Sequence, residues 1–239
     1  LKESDFPMEA LPCVYGPRPW LVAADEPETA AYFREHGRAE VFQPGTVLPF
    51  GREDVIYFIE HGLIATVPTR DGGLTRIAGL FGAETTLGLV RVLRGGNRKM
   101  RLYATALSKI SARVASIGDF LHWFSRLDAE VRIRILQNCI SKTECHLEGV
   151  FVNDLQPVNM RLLWIFEILF QAANAPLAPG FVPLPWPITI SSVAMIIHTT
   201  REMASRGISE WCRAGVMKRD GRRLLVDRER VRAAIFESV

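Results

Sequence analysis

The chain has 239 residues and a formal net charge of +3, and 48% of its residues are hydrophobic. This length and composition suffice for two modest hydrophobic cores and argue against a disordered chain. The four cysteines (Cys13, Cys139, Cys145 and Cys212) are far apart, which favours reduced thiols over a disulfide scaffold. Residues 1–20 show no signal-peptide pattern and no apolar stretch is long enough to span a bilayer, so we expect a cytoplasmic protein without membrane contact.

Short apolar runs and turn signals alternate over residues 39–117, as in Pro44-Gly45 and Asp71-Gly72-Gly73. This alternation is typical of an antiparallel β-barrel or sandwich. The predicted strands cover residues 55–59, 63–67, 102–106 and 110–114. We therefore assign residues 1–118 to an N-terminal β-barrel domain.

An apolar seam with steps of four and three residues follows the β-region. Its members are Ala129, Ile133, Leu136, Ile140, Thr143, Leu147 and Val150. Such a seam fits either a helix packed on the barrel or a parallel dimer helix. We favour the dimer helix, over residues 119–157. Gly149 is expected to weaken this helix near its end.

Residues 158–239 begin with a predicted apolar helix over 159–171 and a proline-rich linker over 175–187. A second helix is predicted after Thr189, whose hydroxyl can cap it, and Val193 and Ile197 lie on its apolar face.

The next helix is predicted over residues 199–211. Its apolar positions are Met203, Ala204, Ile208 and Trp211. Its outward positions are Arg201, Glu202, Ser205 and Arg206. An Asp220-Gly221 hairpin signal follows. Residues 188–239 carry ten Lys or Arg and six Asp or Glu, so the segment is basic, as phosphate contact requires. Two helices and a basic hairpin indicate a winged helix-turn-helix.

The run Thr199-Thr200-Arg201-Glu202-Met203-Ala204-Ser205-Arg206 resembles the T-S-R-E-T-V-S-R pattern in recognition helices of Crp/Fnr transcription regulators. The resemblance implies that this helix enters the DNA major groove. The implied DNA-binding residues are Thr199, Thr200, Arg201, Glu202, Ser205, Arg206 and, in the hairpin, Arg222. Arg can pair with guanine and Glu with cytosine. Two departures stand out: His198 replaces the usual turn Gly, and Gly207 is expected to loosen the helix.

The β-region resembles the same family through Phe42-Gln43-Pro44-Gly45-Thr46-Val47 and Ile56-Tyr57-Phe58-Ile59-Glu60-His61-Gly62, which look like the jelly roll of cyclic-nucleotide-binding proteins. The implied fold is α+β: an N-terminal antiparallel β jelly-roll domain, a long dimerisation helix and a C-terminal winged helix-turn-helix.

The nucleotide-binding signature of that family is incomplete. Its ribose-binding Gly-Glu pair aligns with Phe81-Gly82-Ala83-Glu84, and its phosphate-binding Arg aligns near Met100. Arg98, Lys99 and Arg101 surround that position, but strand alternation turns neighbouring side chains to the other face. We therefore expect an effector other than a cyclic nucleotide.

Other effectors of the family leave signatures that can be checked. An iron-sulfur cluster needs several close N-terminal cysteines, and only Cys13 lies there, so no such cluster is expected. The candidate haem ligands are His36, His61, His122, His146 and Cys145. A small organic effector in the barrel is the remaining alternative. Its candidate site residues are Phe81, Glu84, Leu89, Arg101, Tyr103 and Thr105.

The sequence thus predicts an effector-responsive regulator rather than an enzyme, since no metal or acid-base motif is present in the strands. The predicted partners are double-stranded DNA, a second copy of the chain, RNA polymerase and a small-molecule effector. The alternative is a sensor module that binds a cyclic nucleotide or another small ligand without binding DNA.

Overall fold

The computed structural model describes residues 18–49, 54–70, 73–74, 76–94, 101–221 and 223–236. The chain enters as an extended segment beside Leu80: the Val22 amide donates to the Leu80 carbonyl at 2.9 Å. Helix α1 (Pro27–His36) follows, with a proline in its first turn. Within the described residues, no helix combines the length and apolar character needed to cross a membrane.

Two antiparallel sheets form the β-domain. The first sheet has the order β1 (Arg38–Phe42), β9 (Ile110–Ser116), β3 (Val55–His61) and β7 (Thr85–Leu87). The second has the order β2 (Val47–Leu48), β8 (Arg101–Ala106), β4 (Ile64–Arg70) and β5 (Gly73–Leu74), and β6 (Gly79–Phe81) also pairs with β4. These strands confirm the predicted antiparallel β-domain.

Apolar side chains fill the space between the sheets. Tyr57, Ile59, Ile64, Leu87 and Ile110 are all at most 2% exposed there. A second cluster covers the outer face of the first sheet, where α1 and α3 (Ile117–Ser125) pack through aromatic residues. The short helix α2 (Leu89–Arg94) contributes Leu89 to this second cluster.

Helix α4 (Ala129–Leu155) has one buried and one exposed face. Ile135, Cys139, Cys145 and Gly149 face the rest of the chain and are buried. The predicted seam instead faces outward, with Ile133 54%, Ile140 60% and Leu147 59% exposed. The alternative in which the seam packs on the barrel is therefore wrong. The predicted segment 119–157 comprises most of α3, a break at 126–128 and α4.

Gly149 has a packing role that the sequence did not indicate. A Cβ at this position would lie 2.5 Å from Cδ1 of Trp20, so only glycine lets the indole reach the helix. Trp20 is 1% exposed, and its amide donates to the Cys145 carbonyl at 3.0 Å. Gly149 therefore marks a close contact with the N-terminal segment.

The C-terminal part contains four helices and a three-stranded sheet. The helices are α5 (Val158–Ala172), α6 (Ile190–Ile196), α7 (Arg201–Arg213) and α8 (Arg228–Phe236). The sheet has the order β10 (Phe181–Pro183), β12 (Arg223–Asp227) and β11 (Met217–Asp220). The prediction that residues 175–187 form only a linker is thus partly wrong. β10 lies within this range and pairs with β12, which adds a third strand to the β11–β12 hairpin, the wing.

One hydrophobic core joins the C-terminal part to the β-domain. It contains Leu63, Ile77 and Leu80 together with Phe166 of α5 and Ile196 of α6. Backbone hydrogen bonds cross the same boundary: the Ile77 amide donates to Met195 at 3.1 Å and the Ala83 amide to Ala172 at 3.2 Å. The segment around β6 therefore positions the helix-turn-helix.

Candidate nucleic-acid interface

Helix α6 begins as the sequence predicts. The Thr189 hydroxyl accepts a hydrogen bond from the Ser192 amide at 3.0 Å, which satisfies one of the free amides of the first turn. Val193, Ala194 and Ile196 are buried against the common core. The inner face of α6 is therefore packed into the core that joins the two parts of the chain.

The turn between α6 and α7 depends on His198. Its φ is +50°, in the left-handed region that favours glycine. The Thr199 amide donates to the Ala194 carbonyl at 3.0 Å, and the Thr200 hydroxyl caps α7 by accepting from the Met203 amide at 3.2 Å. His198 thus keeps the tight turn despite its side chain.

The inner face of α7 packs on α5. Ala204, Gly207 and Ile208 are buried, and the Trp211 indole N–H donates to the Asn159 carbonyl at 2.9 Å. A Cβ at Gly207 would meet Cδ1 of Leu162 and lie 2.7 Å from Oδ1 of Asn159. Gly207 therefore has a packing role against α5 that the sequence did not indicate, and the expectation that it loosens the helix stays a prediction.

The prediction that Met203 lies on the inner face of α7 is wrong. Its side chain is 41% exposed, because position 203 lies at the edge of the buried stripe that passes through Ala204 and Ile208.

The outer face of α7 carries the predicted base-reading residues. Arg201, Glu202 and Arg206 are exposed, and Ser205 is half-buried. Thr200 is exposed and Thr199 is half-buried at the helix start. In the ranges that the structure describes, neither arginine forms an ion pair, so both guanidinium groups remain available to a ligand.

Glu202 is held in its charged form at the start of α7. Hydrogen bonds from its own backbone N–H and from the Thr200 hydroxyl lower the pKa of its carboxyl, and Arg201 acts in the same direction. An ionised Glu accepts hydrogen bonds and does not donate them, which suits the amino group of cytosine.

The wing lies beside this helix. Lys218 and Arg219 on β11 and Arg223 on β12 are exposed, while Met217 and Val226 anchor the hairpin in the core. Gly221 has a φ of +56° at the hairpin turn, as the Asp-Gly signal predicts. The predicted DNA contact Arg222 lies outside the described residues.

A buried ion pair that the sequence did not reveal fixes α8 to α5. Arg228 donates through Nε to Glu167 at 2.8 Å and through Nη2 at 2.9 Å, and a third hydrogen bond reaches the Ala175 carbonyl at 2.6 Å. Its guanidinium also lies 5.3 Å from the centre of the Phe170 ring. These contacts fix α8 to α5, the helix on which α7 packs.

The structure does not bring the six predicted effector residues together. Tyr103 and Thr105 lie on the face of β8 opposite to Ala104 and Ala106, which pack in the sandwich core.

The other predicted effector residues have different surroundings. Glu84 has a φ of +62° and forms an ion pair of 2.5 Å with Arg34 of α1. Leu89 belongs to the cluster under α1, whereas Phe81 packs on the sandwich core. Arg101 begins β8, and Arg98, Lys99 and Met100 lie outside the described residues. Effector binding by the six residues stays a prediction.

The structure does not bring the five candidate haem ligands together. Nδ1 of His146 lies 2.9 Å from the Ala78 carbonyl oxygen, His61 is exposed, and His36 and His122 are exposed at the edge of one cleft beside α1 and α3. Burial raises the pKa of Cys145 to about 12, so its thiol stays protonated. Across the part of the chain that the structure describes, no group of three or more His, Cys, Asp or Glu side chains is placed to hold a metal ion.

A second buried ion pair joins α4 to the β-domain and was not foreseen. Lys142, 2% exposed, donates to the Asp25 carboxylate and, at 3.0 Å, to the Thr86 hydroxyl. The Thr86 hydroxyl in turn donates to Asp25 at 3.0 Å. In the sequence, Lys142 is an isolated lysine between positions of the apolar seam. It belongs to no motif from which Asp25 could be identified as its partner.

Solved structures share this architecture. FixK2 from Bradyrhizobium japonicum superimposes with a TM-score of 0.67 at 16% identity, covering 82% of this chain and 96% of that one. A CRP/FNR-family transcriptional regulator from Thermus thermophilus gives 0.63 at 16% identity, over 83% and 98%. The c-di-GMP-responsive regulator CLP from Xanthomonas campestris gives 0.63 at 15% identity, over 84% and 99%.

These likenesses confirm the predicted Crp/Fnr resemblance at the level of the fold. No protein-family model matches the sequence. No curated protein sequence matches it either.

Proposed function

We propose that this chain is a transcription regulator of the Crp/Fnr type that binds double-stranded DNA through α7. The observation that carries the proposal is the outer face of α7, where Arg201, Glu202 and Arg206 stand exposed on a buried platform. The major groove admits a helix, and Arg and Glu match guanine and cytosine edges there.

The wing supports the same function through phosphate contacts. Lys218, Arg219 and Arg223 are exposed on the hairpin next to α7. Cations at this position neutralise backbone phosphates and orient the protein on the duplex without reading sequence.

Homodimerisation through α4 is part of the proposal. The outward face of this helix carries Ile133, Leu136, Ile140, Leu147 and Val150, which are between 43% and 60% exposed. A continuous apolar stripe of this kind is unusual for an isolated surface helix and fits a helix pair. Two copies then present two recognition helices to the half-sites of a palindrome.

The effector of the proposed regulator is a compound other than a cyclic nucleotide. The sandwich interior is filled by apolar side chains, and Glu84, at the ribose-binding position, forms its ion pair with Arg34 on the outer side. RNA polymerase is a further proposed partner, on the resemblance alone. The structural neighbours are regulators rather than enzymes, which favours a non-catalytic role.

Selection from a random double-stranded DNA library tests the proposal. We expect the full chain to enrich a palindrome with half-sites about one helical turn apart. A sensor module that does not bind DNA would enrich no sequence. Enrichment of a single unrepeated half-site would support DNA binding but contradict the two-fold arrangement.

A further inference from the structure

A cleft of about 740 Å³ lies between α1 and α3, on the side of the first sheet away from the sandwich core. Residues of α1, β1, β9, α3 and the joint between α3 and α4 line it. Its lining includes Tyr32, His36, Arg38, His122, Trp123 and Arg126. The six residues predicted for a small organic effector are not among the described residues that line it, whereas the haem candidates His36 and His122 are.

Aromatic rings form one wall of the cleft. The ring centres of Tyr32 and Trp123 lie 4.6 Å apart with an angle of 31° between the planes. Phe120 packs against both rings from behind, at 5.5 Å from Tyr32 and 5.3 Å from Trp123. Tyr32 is enclosed by these rings, whereas Trp123 is only half-buried and offers the ring surface on which a flat apolar group can stack.

The Tyr32 hydroxyl is an unsatisfied donor in this wall. Tyr32 is 4% exposed, and within the described residues its hydroxyl has no hydrogen-bond partner. Buried polar groups are nearly always paired, so an exception needs an explanation. Burial, and then the negative charge of Asp119, raise the pKa of Tyr32. The group therefore stays a neutral phenol that can donate.

The rim of the cleft carries the guanidinium groups of Arg38 and Arg126, the carboxylate of Asp119 and the imidazoles of His36 and His122. Arg38 forms an ion pair with Glu40, whereas Arg126 forms none with any described residue. The Arg126 guanidinium is thus available to pair with an anion.

We propose that this cleft binds a small planar organic anion, namely an aromatic carboxylate. Its ring stacks on the half-buried Trp123, its carboxylate pairs with Arg126, and the Tyr32 hydroxyl donates to that carboxylate. The Tyr32 oxygen is closed to solvent in the free protein, so a ligand reaches it only after side chains that line the cleft shift. The proposal concerns ligand binding alone and does not depend on DNA binding.

Calorimetry on the full chain with benzoate tests the site, with benzamide as the neutral analogue and inorganic phosphate as an anion without a ring. We expect benzoate to bind saturably, with a Kd on the order of 1 mM or lower, and the other two to bind at least tenfold more weakly. Arg126→Gln should weaken benzoate binding at least tenfold. Lys109→Gln, which removes an exposed cation from the β8–β9 turn, should leave it unchanged.

Tyr32→Phe separates a binding role from a structural one. Removing an unpaired buried hydroxyl should maintain or raise the unfolding temperature of the free protein. The same variant should weaken benzoate binding, since the ligand loses its donor. Absent benzoate binding, equal binding of benzamide, tighter binding of phosphate, or unchanged benzoate affinity in the Arg126 and Tyr32 variants would overturn the proposal.

Discussion

Charged side chains on the outer face of α7 and at two positions of the β-domain differ in whether they have partners within the chain. On α7, Arg201 and Arg206 are exposed and form no ion pair with the described part of the chain. In the β-domain, Glu84 and Asp25 are paired with Arg34 and Lys142. A polar residue at a family's functional position therefore indicates function only where the fold leaves it without a structural partner.

The largest effect that we expect comes from charging the exposed seam of α4. Ile140→Glu combined with Leu147→Glu would bury like charges in the proposed dimer interface, which costs several kcal/mol. We expect at least a 100-fold rise in the dimer dissociation constant, because about 1.4 kcal/mol corresponds to each tenfold change. Analytical ultracentrifugation measures it.

The matched control places the same charges beside the seam, with Gln137→Glu and Ser141→Glu, both at exposed positions. This variant should remain dimeric. An intact dimer in the seam variant would show that α4 does not carry the interface.

Breaking the buried pair between α4 and the β-domain should destabilise the fold. Lys142→Ala leaves the Asp25 carboxylate, whose side chain is 1% exposed, without its cation. Loss of one partner of a buried pair costs about 3 to 5 kcal/mol. Urea denaturation should show this loss. As a control, Lys109→Ala at an exposed site should leave the unfolding midpoint nearly unchanged. A Lys142 variant as stable as the wild type would mean that the Lys142–Asp25 pair does not join α4 to the β-domain.

Gly207→Ala tests the close packing of α7 on α5. Added volume at a packed contact costs about 1 to 3 kcal/mol, although alanine has the higher helix propensity. Thermal unfolding should therefore shift downward. The opposite shift would support the expectation that glycine only loosens this helix. Ser209→Ala, on the exposed face of the same helix, serves as the control.

The smallest effect that we expect is a pH dependence of the unfolding free energy that is caused by His198. Burial, and then the nearby positive charge of Arg76, lower the pKa of His198 below its ordinary value of 6.5. Because the folded state disfavours the protonated ring, His198 contributes stability above pH 6.5 that is lost as pH falls below this value.

The control for this pH dependence is His198→Asn, since Asn tolerates the left-handed conformation of the turn. The difference in unfolding free energy between wild type and this variant should shrink between pH 7.5 and 5.5, by up to about 1 kcal/mol. A constant difference would exclude a role for His198 protonation.

The sequence was sufficient for features with a local pattern. The cap at Thr189, the seam on α4 and the Asp220-Gly221 turn each follow from neighbouring residues, and each is present in the structure. Contacts between distant residues had no such signal. Lys142 meets Asp25 across 117 positions, and Arg228 meets Glu167 across 61.

Contacts between distant residues also decide the roles of two glycines, and the sequence could not predict these roles. Gly149 and Gly207 were interpreted through helix propensity, which is a property of the residue itself. Their actual roles depend on Trp20 and Leu162, which come close only in the folded chain. The proposed cleft is of the same kind, since it combines α1 with α3.

The most direct test of the central claim measures how Arg206→Ala changes DNA binding, on the selected palindrome and on unrelated duplex DNA. If Arg206 reads a base, specific binding should weaken by about 1 to 3 kcal/mol while non-specific binding changes little. Arg94→Ala, an exposed arginine on α2, should change neither. An unaltered affinity for the palindrome in the Arg206 variant would contradict the assignment of α7 as the recognition helix.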